Sequence, residues 1–211
     1  MPLYKHHFAE FFCLLIAILS FRKLKNSAFV WFIPFIFLTL STEVVATYIA
    51  HVKDLPNYAI YNYLTTVSFV FFICFTCHFI ENTCVGKSYF PVSTLLVIII
   101  AINIFFLNRN AFHRQTYILG CLVIIFYCFF YLYEAINKFD INFRIEKQPV
   151  FWVILGLLFF YLSGAGFFIF ITTFSTSFKE QFNEIIRWLS VFMYGSFSIA
   201  FILCRPPKEK Y

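Results

Sequence analysis

Residues 91–107 read PVSTLLVIIIAINIFFL and contain no charged residue. An uninterrupted apolar run approaching 20 residues is long enough, as a helix, to cross a hydrocarbon core roughly 30 Å thick. Because backbone N–H and C=O groups in lipid need partners within the protein, such a run must form a helix or belong to a closed barrel. Barrel strands alternate polar and apolar residues, whereas Leu95-Leu96-Val97-Ile98-Ile99-Ile100 is apolar throughout. This stretch therefore predicts a transmembrane helix.

The rest of the chain repeats the pattern and predicts an all-α, polytopic transmembrane helix bundle. Of the 211 residues, 62% are hydrophobic and only 12% are charged, against about 25% charged in typical soluble domains. Short polar joints divide the chain into about seven spans within one transmembrane domain, residues 1–211. The predicted spans are residues 8–22, 27–51, 58–80, 91–107, 116–136, 150–171 and 186–204.

The distribution of lysine and arginine predicts the orientation, because cytoplasmic loops carry an excess of both. In this layout one side holds ten basic residues: Arg22, Lys23, Lys25, Lys87, Lys138, Arg144, Lys147, Arg205, Lys208 and Lys210. The other side holds six: Lys5, Lys53, Arg109, Arg114, Lys179 and Arg187. The N-terminus is therefore predicted outside and the C-terminus in the cytoplasm, with the protein multi-pass in the cell membrane. The net charge of +6 reflects this topology, so the expected partner is the lipid bilayer and not a nucleic acid.

Glu43 is the ionisable residue that most needs an explanation. It lies about two turns inside the second predicted span, and a charge within the membrane costs roughly 2.5–3.5 kcal/mol on insertion scales. Glu43, Thr47 and His51 recur every fourth residue and so share one helix face. Glu10 and Glu134, by contrast, lie near the ends of their predicted spans, where their side chains can reach the interface.

Polar residues of other spans reach the same depth as Glu43 and predict an outward-facing polar pocket with Glu43 near its floor. Its predicted members are Glu43, Thr47, His51, Asn57, Tyr61, Asn62, Thr65, Asn103, Tyr161, Ser163 and Tyr194. A small molecule or a lipid is the expected ligand. The alternative is that interhelical hydrogen bonds satisfy Glu43 and that it serves packing alone.

The string Cys74-Phe75-Thr76-Cys77-His78 has the spacing of covalent haem attachment. That chemistry needs an unfolded, exported segment, whereas this string lies in an apolar helix near its predicted cytoplasmic end. The residue types suit zinc, but two cysteines three residues apart on a helix in lipid make a poor site. We therefore predict no cofactor, no metal and no structural disulfide.

A basic turn, Lys23-Leu24-Lys25-Asn26, is followed by Trp31-Phe32-Ile33-Pro34, by Glu43, and by Pro56-Asn57 with Tyr61-Asn62. This order of features resembles a loose group of uncharacterised small bacterial seven-helix integral membrane proteins. The resembling part covers about a quarter of the chain. The resemblance implies the seven-helix layout and brings no assigned activity.

The leading functional hypothesis is a membrane-embedded sensor or interaction protein. It would bind its ligand in the outer pocket and signal through the basic inner loops to a separate cytoplasmic or membrane protein. The alternative is a small transporter or channel in which Glu43 couples a cation or a proton. An intramembrane lipid-acting enzyme and a pore-forming effector are further alternatives, but the sequence shows no catalytic dyad, which disfavours an enzyme.

Overall fold

The computed structural model describes residues 5–107, 111–138, 144–170 and 176–204, and every regular element within these ranges is helical. The prediction of an all-α fold is thus confirmed for the described residues. The α-helices are α1 (Lys5–Leu19), α2 (Phe21–Leu24), α3 (Phe32–Val52), α4 (Tyr58–His78), α5 (Thr83–Lys87), α6 (Tyr89–Ile102), α7 (Arg114–Lys138), α8 (Pro149–Phe170) and α9 (Thr176–Leu203). Two 3₁₀ turns, Ala28–Trp31 and Ile145–Lys147, precede α3 and α8, and a π-helical turn, Asn103–Leu107, continues α6.

Within the described ranges, six helical segments are long and apolar enough to cross a membrane, which makes the chain a multi-pass membrane protein. They are Ala28–Val52, Tyr58–His78, Tyr89–Phe106, Arg114–Asn137, Pro149–Phe170 and Glu184–Leu203. The first predicted span, residues 8–22, corresponds to α1, which has 15 residues. At 1.5 Å per residue α1 measures about 22 Å, less than the hydrocarbon thickness.

Helix boundaries agree best with the predicted spans where a polar joint is sharp. The predicted span 58–80 is α4, and the predicted span 116–136 lies within α7. Residue 171, the end of the sixth predicted span, lies outside the described residues. The last helix begins at Thr176 rather than at 186, and Pro34 lies in the first turn of α3, where its missing N–H costs no intrahelical bond.

Six helices close a ring through pairwise packing. In order around the ring, α1 packs against α9, α9 against α8, α8 against α7, α7 against α4, α4 against α3, and α3 against α1. α6 packs on the outside, against α4 and α7. Its side chains Leu95, Ile98 and Ile102 are exposed, as expected for a surface that faces lipid.

The interior of the ring is largely aromatic. Phe32 of α3 is fully buried, and its ring meets those of Phe75, Phe197 and Phe201 edge-on, at centroid distances of 4.8, 5.1 and 5.5 Å. Such pairs contribute about 0.5–1.5 kcal/mol each beyond area burial. Because lipid is as apolar as the helices, this close packing is what associates α3, α4 and α9.

Candidate functional site

Glu43 of α3 meets two histidines of α1. Its Oε2 atom lies 2.8 Å from Nε2 of His6 and 3.7 Å from Nε2 of His7. The two imidazole rings are stacked, with centroids 4.2 Å apart. The side chains of His6, His7 and Glu43 are 14%, 3% and 17% exposed, so this ionisable cluster lies largely within the bundle.

Glu10 lies one helical turn beyond the two histidines, at i+4 from His6 and i+3 from His7, and therefore on the same face of α1. It is 1% exposed. The Tyr194 hydroxyl of α9 donates a hydrogen bond to the Glu10 carboxylate. This carboxylate also lies close enough to the Glu43 carboxylate for their negative charges to repel. The Oε2 atom of Glu10 is buried and has no hydrogen-bond partner within the described residues.

The start of α1 is tied to α9 by a second set of contacts on the exposed surface. Lys5 Nζ lies 2.9 Å from Oε1 of Glu184 and 4.5 Å from the ring centroid of Trp188. Arg187 Nη1 binds the other carboxylate oxygen of Glu184 at 2.9 Å. These contacts hold the first turn of α1, and with it both histidines, against the rest of the bundle.

The predicted stripe on α3 is only partly directed inward. Thr47 is buried, but His51 is exposed. Each step of four residues turns a side chain by about 40° beyond a full turn. Over the two steps from Glu43 to His51 the drift reaches about 80°, which is enough to leave His51 on the surface.

Asn62 belongs to a different polar cluster, at the start of α7. Its Nδ2 atom donates to the backbone oxygen of Ala111 at 3.1 Å, and its Oδ1 atom accepts from the backbone N–H of His113 at 3.2 Å. His113 is fully buried, with Nδ1 2.6 Å from the Thr116 hydroxyl oxygen. Asn62 thus anchors the segment that leads into α7.

The other predicted pocket residues occupy separate positions. Asn57 donates to the backbone oxygen of Ala46 at 3.4 Å, and the Thr65 hydroxyl donates to the backbone oxygen of Tyr61 at 2.6 Å. Tyr61 is half-buried, and Asn103 is buried in the π-helical turn. The side chains of Asn57 and Thr65 are thus engaged by backbone oxygens of α3 and α4.

The remaining two groups lie on α8. Tyr161 is buried between aromatic rings, with centroid distances of 5.9 Å to both Phe69 and Phe72. Ser163 is half-buried. Of the predicted site residues, Thr47, one turn from Glu43 on α3, and Tyr194, whose hydroxyl bonds to Glu10, lie in the neighbourhood of Glu43.

Sequence reasoning missed the partners of Glu43. His6 and His7 precede the predicted first span, and Glu10 was expected to reach the interface, whereas it is almost completely buried. The dipeptide His6-His7 followed by a carboxylate at helical spacing was a usable signal. What the sequence did not reveal is that α1 packs against α3.

The cysteine motif does not converge on a site. Cys77 is buried and Cys74 is half-buried, while His78 is exposed at the end of α4. All seven cysteines lie within the described residues, and all are free thiols.

The fold and the ionisable cluster define a multi-pass helical membrane protein with a polar site between α1, α3 and α9. No protein-family model, no curated protein and no solved structure matches this chain. The resemblance to small seven-helix proteins therefore stays a prediction, and the function has to be inferred from the site itself.

Proposed function

We propose that the protein is a membrane-embedded sensor or interaction protein that binds a ligand at the outer ends of α1, α3 and α9. The observation that supports this function most is the contact of Glu43 with His6 and His7, next to the buried carboxylate of Glu10. Ionisable groups within a membrane bundle are costly and mark functional sites. Packing alone does not need four of them in one place.

The proposed topology has seven spans in the cell membrane, with the N-terminus outside. α1 is a member of the helix ring, between α3 and α9, and so lies in the same layer as the six apolar segments. Together with Ser20 and α2, it forms a nearly continuous helical stretch over residues 5–24, which spans about 30 Å. The excess of lysine and arginine on the opposite side supports a cytoplasmic location for that side.

The proposed signal passes along α1. A ligand that replaces or rearranges the contact between His6 and Glu43 changes the position of α1 relative to α3, because this contact is a polar link between the two helices. α1 leads through α2 to the basic residues Arg22, Lys23 and Lys25 at the predicted inner surface. A separate protein that reads this surface would produce the output.

Native mass spectrometry in a mild detergent tests the proposal. Wild type is compared with Glu43→Gln and with the control Glu146→Gln, which makes the same chemical change at an exposed residue far from the site. A ligand bound to wild type and to Glu146→Gln but lost from Glu43→Gln supports an outer binding site. The same bound species on all three proteins would contradict it.

A small transporter that couples a cation or a proton is the second candidate. The position of Glu10 favours it, because the acidic groups continue one helical turn inward from Glu43 and end on the Tyr194 hydroxyl. Flux into proteoliposomes that is lost in Glu10→Gln and retained in Glu146→Gln would favour transport over sensing. No flux in the wild type across a set of cations and a pH gradient would leave sensing as the function.

A further inference from the structure

We propose that His6, His7 and Glu43 bind a divalent transition-metal ion of the zinc type, with Glu10 as a further acidic group beside it. This inference names the chemical class of the ligand at the outer site and therefore rests on the function proposed above. It assigns a metal site where the sequence alone predicted none.

The positions of the donor atoms suit a metal ion. One ligand atom from each of His6, His7 and Glu43 lies within 4.8 Å of the other two. Zinc binds imidazole nitrogen and carboxylate oxygen at about 2.0–2.2 Å with tetrahedral geometry, which implies donor atoms roughly 3.4 Å apart. The observed separations from Glu43 Oε2, 2.8 and 3.7 Å, lie on either side of that value.

The types of donor select the class of metal. Two imidazoles and one carboxylate are ligands for zinc, cobalt, nickel and copper. Calcium and magnesium prefer oxygen ligands alone. Three protein ligands also leave a fourth position for water or for a group of a partner or ligand.

Glu10 provides a second, independent observation. This carboxylate is 1% exposed, and its buried Oε2 atom has no hydrogen-bond partner within the described residues. A buried carboxylate oxygen without a partner is costly, and the nearby carboxylate of Glu43 adds repulsion. A divalent cation in the cluster would offset both, while the Tyr194 hydroxyl holds Glu10 in place as outer partners of metal sites do.

A bound ion would give the sensor its conformational link. His6 and His7 belong to α1, and Glu43 belongs to α3, so one ion would bind both helices at once. Binding would therefore fix the position of α1, which leads to the basic inner turn. The alternative without metal is an ion pair in which a histidine proton stabilises Glu43.

Metal titration of the full-length protein in mild detergent, after treatment with a chelator, separates these two cases. Calorimetry with Zn²⁺ is expected to show one ion bound per chain, and Co²⁺ is expected to give the visible absorption of a tetrahedral complex. His6→Ala and Glu43→Gln should each weaken Zn²⁺ binding at least about 100-fold, since even outer partners of metal sites are worth 10–100-fold. Zn²⁺ should also raise the unfolding temperature of the wild type and not of these variants.

His51→Ala and His78→Ala are the matched controls, because both histidines are exposed and lie outside the cluster. They should bind Zn²⁺ as the wild type does. Size-exclusion chromatography tests whether His6→Ala, whose change lies in the first turn of α1, leaves the bundle folded.

Two results would overturn the inference: no stoichiometric Zn²⁺ or Co²⁺ binding by the wild type, or binding that His6→Ala and Glu43→Gln leave unchanged. If native mass spectrometry then shows an organic ligand that Glu43→Gln loses, the outer site stands and only the metal is wrong. If neither experiment depends on Glu43, both proposals fail and the cluster is an ion pair within the packing.

Discussion

Gly120 of α7 and Phe69 of α4 are in direct contact: a Cβ atom at position 120 would lie at a clashing distance from Cε2 of the Phe69 ring. No side chain tolerates that distance, and Phe69 is fully buried, so its ring has little room to move. Gly120 thus lets α7 approach α4 closely around an aromatic ring. Small residues serve this purpose in membrane bundles, where close packing replaces the hydrophobic effect between helices.

Gly120→Ala is therefore expected to destabilise the bundle by about 1–3 kcal/mol, the usual cost of overpacking a core. The measurement is the free energy of unfolding in detergent. Gly195→Ala is the matched control, since nothing lies within 4 Å of a Cβ atom there, and alanine is the better helix former by about 0.8–1.0 kcal/mol. A Gly120→Ala protein as stable as Gly195→Ala would contradict the contact.

His113 is expected to make stability depend on pH. Burial lowers the pKa of His113 below its ordinary value. Interactions of its side chain with the backbone of Asn62 and of His113 itself oppose this lowering only in part. The Thr116 hydroxyl donates to the backbone oxygen of His113, so Nδ1 must donate to Thr116 and Nε2 keeps its lone pair. Nε2 is buried without a hydrogen-bond partner in the described part of the chain, so its protonation places a charge in an unsolvated position.

The direction of this pH dependence follows from proton uptake on unfolding. Below about pH 6.5, the ordinary value for histidine, the unfolded chain binds a proton at position 113 that the folded chain does not. Stability is thus fully present at higher pH and falls as the pH drops from about 6.5 towards the lowered pKa. His113→Gln should lack this component, which is read as the difference in unfolding temperature between wild type and variant across pH 5–8. Parallel curves for the two proteins would show that His113 does not titrate in this way.

The helices were predictable from sequence, whereas their arrangement was not. In lipid, an apolar run without the polar–apolar alternation of barrel strands, such as residues 58–80, forms a helix, and α4 accordingly occupies Tyr58–His78. The order of helices around the ring has no such signal. Interior and lipid-facing positions are equally apolar in α6 and α8, so periodicity does not show which face of a helix meets its neighbour.

The candidate site was predictable in its centre and not in its partners. The cost of an ionisable group in lipid singled out Glu43, and the same argument undervalued Glu10 because its place near a predicted span end suggested access to water. His6 and His7 reach Glu43 only because α1 packs beside α3. A contact between helices this far apart in sequence depends on closure of the whole ring, which no local pattern encodes.

At the end of α4 and α7 opposite to Asn62 and His113, Glu134 is expected to hold the start of α5 in place. Its two carboxylate oxygens accept hydrogen bonds from the backbone N–H groups of Glu81, at 3.0 Å, and Asn82, at 2.9 Å. Hydrogen bonds to a charged acceptor stabilise by about 1.5–3 kcal/mol each when shielded and by less at an exposed site. Glu134→Ala removes both acceptors, so amide hydrogen exchange over residues 81–87 should become faster.

Hydrogen exchange measured by mass spectrometry on peptides from this segment checks the prediction. Glu134→Gln should show an intermediate rate, since its side chain keeps one acceptor oxygen without the charge. Glu146→Ala, a change at an exposed carboxylate, should leave exchange over residues 81–87 as in the wild type. Unchanged exchange in Glu134→Ala would mean that the two hydrogen bonds do not hold this turn.

The proposed orientation can be tested on Cys84, which is exposed in α5. If the N-terminus is outside, α5 lies on the cytoplasmic side, and a membrane-impermeant maleimide should label Cys84 only after cells are permeabilised. Cys13, Cys121 and Cys128 are buried, and thiols in apolar surroundings react poorly because the thiolate is the nucleophile. A variant that keeps Cys84 as its only cysteine gives the cleanest measurement, with Cys84→Ser as the unlabelled control.

Lys53→Cys in a cysteine-free background supplies the opposite reference, because position 53 is exposed just beyond α3, at the other end of α4 from Cys84. It should react in intact cells under the same conditions. Since α4 is one continuous helix, Tyr58–His78, that crosses the membrane in the proposed topology, the two positions must show opposite accessibility. Labelling of Cys84 and not of position 53 in intact cells would invert the orientation, and the cluster of His6, His7 and Glu43 would then face the cytoplasm.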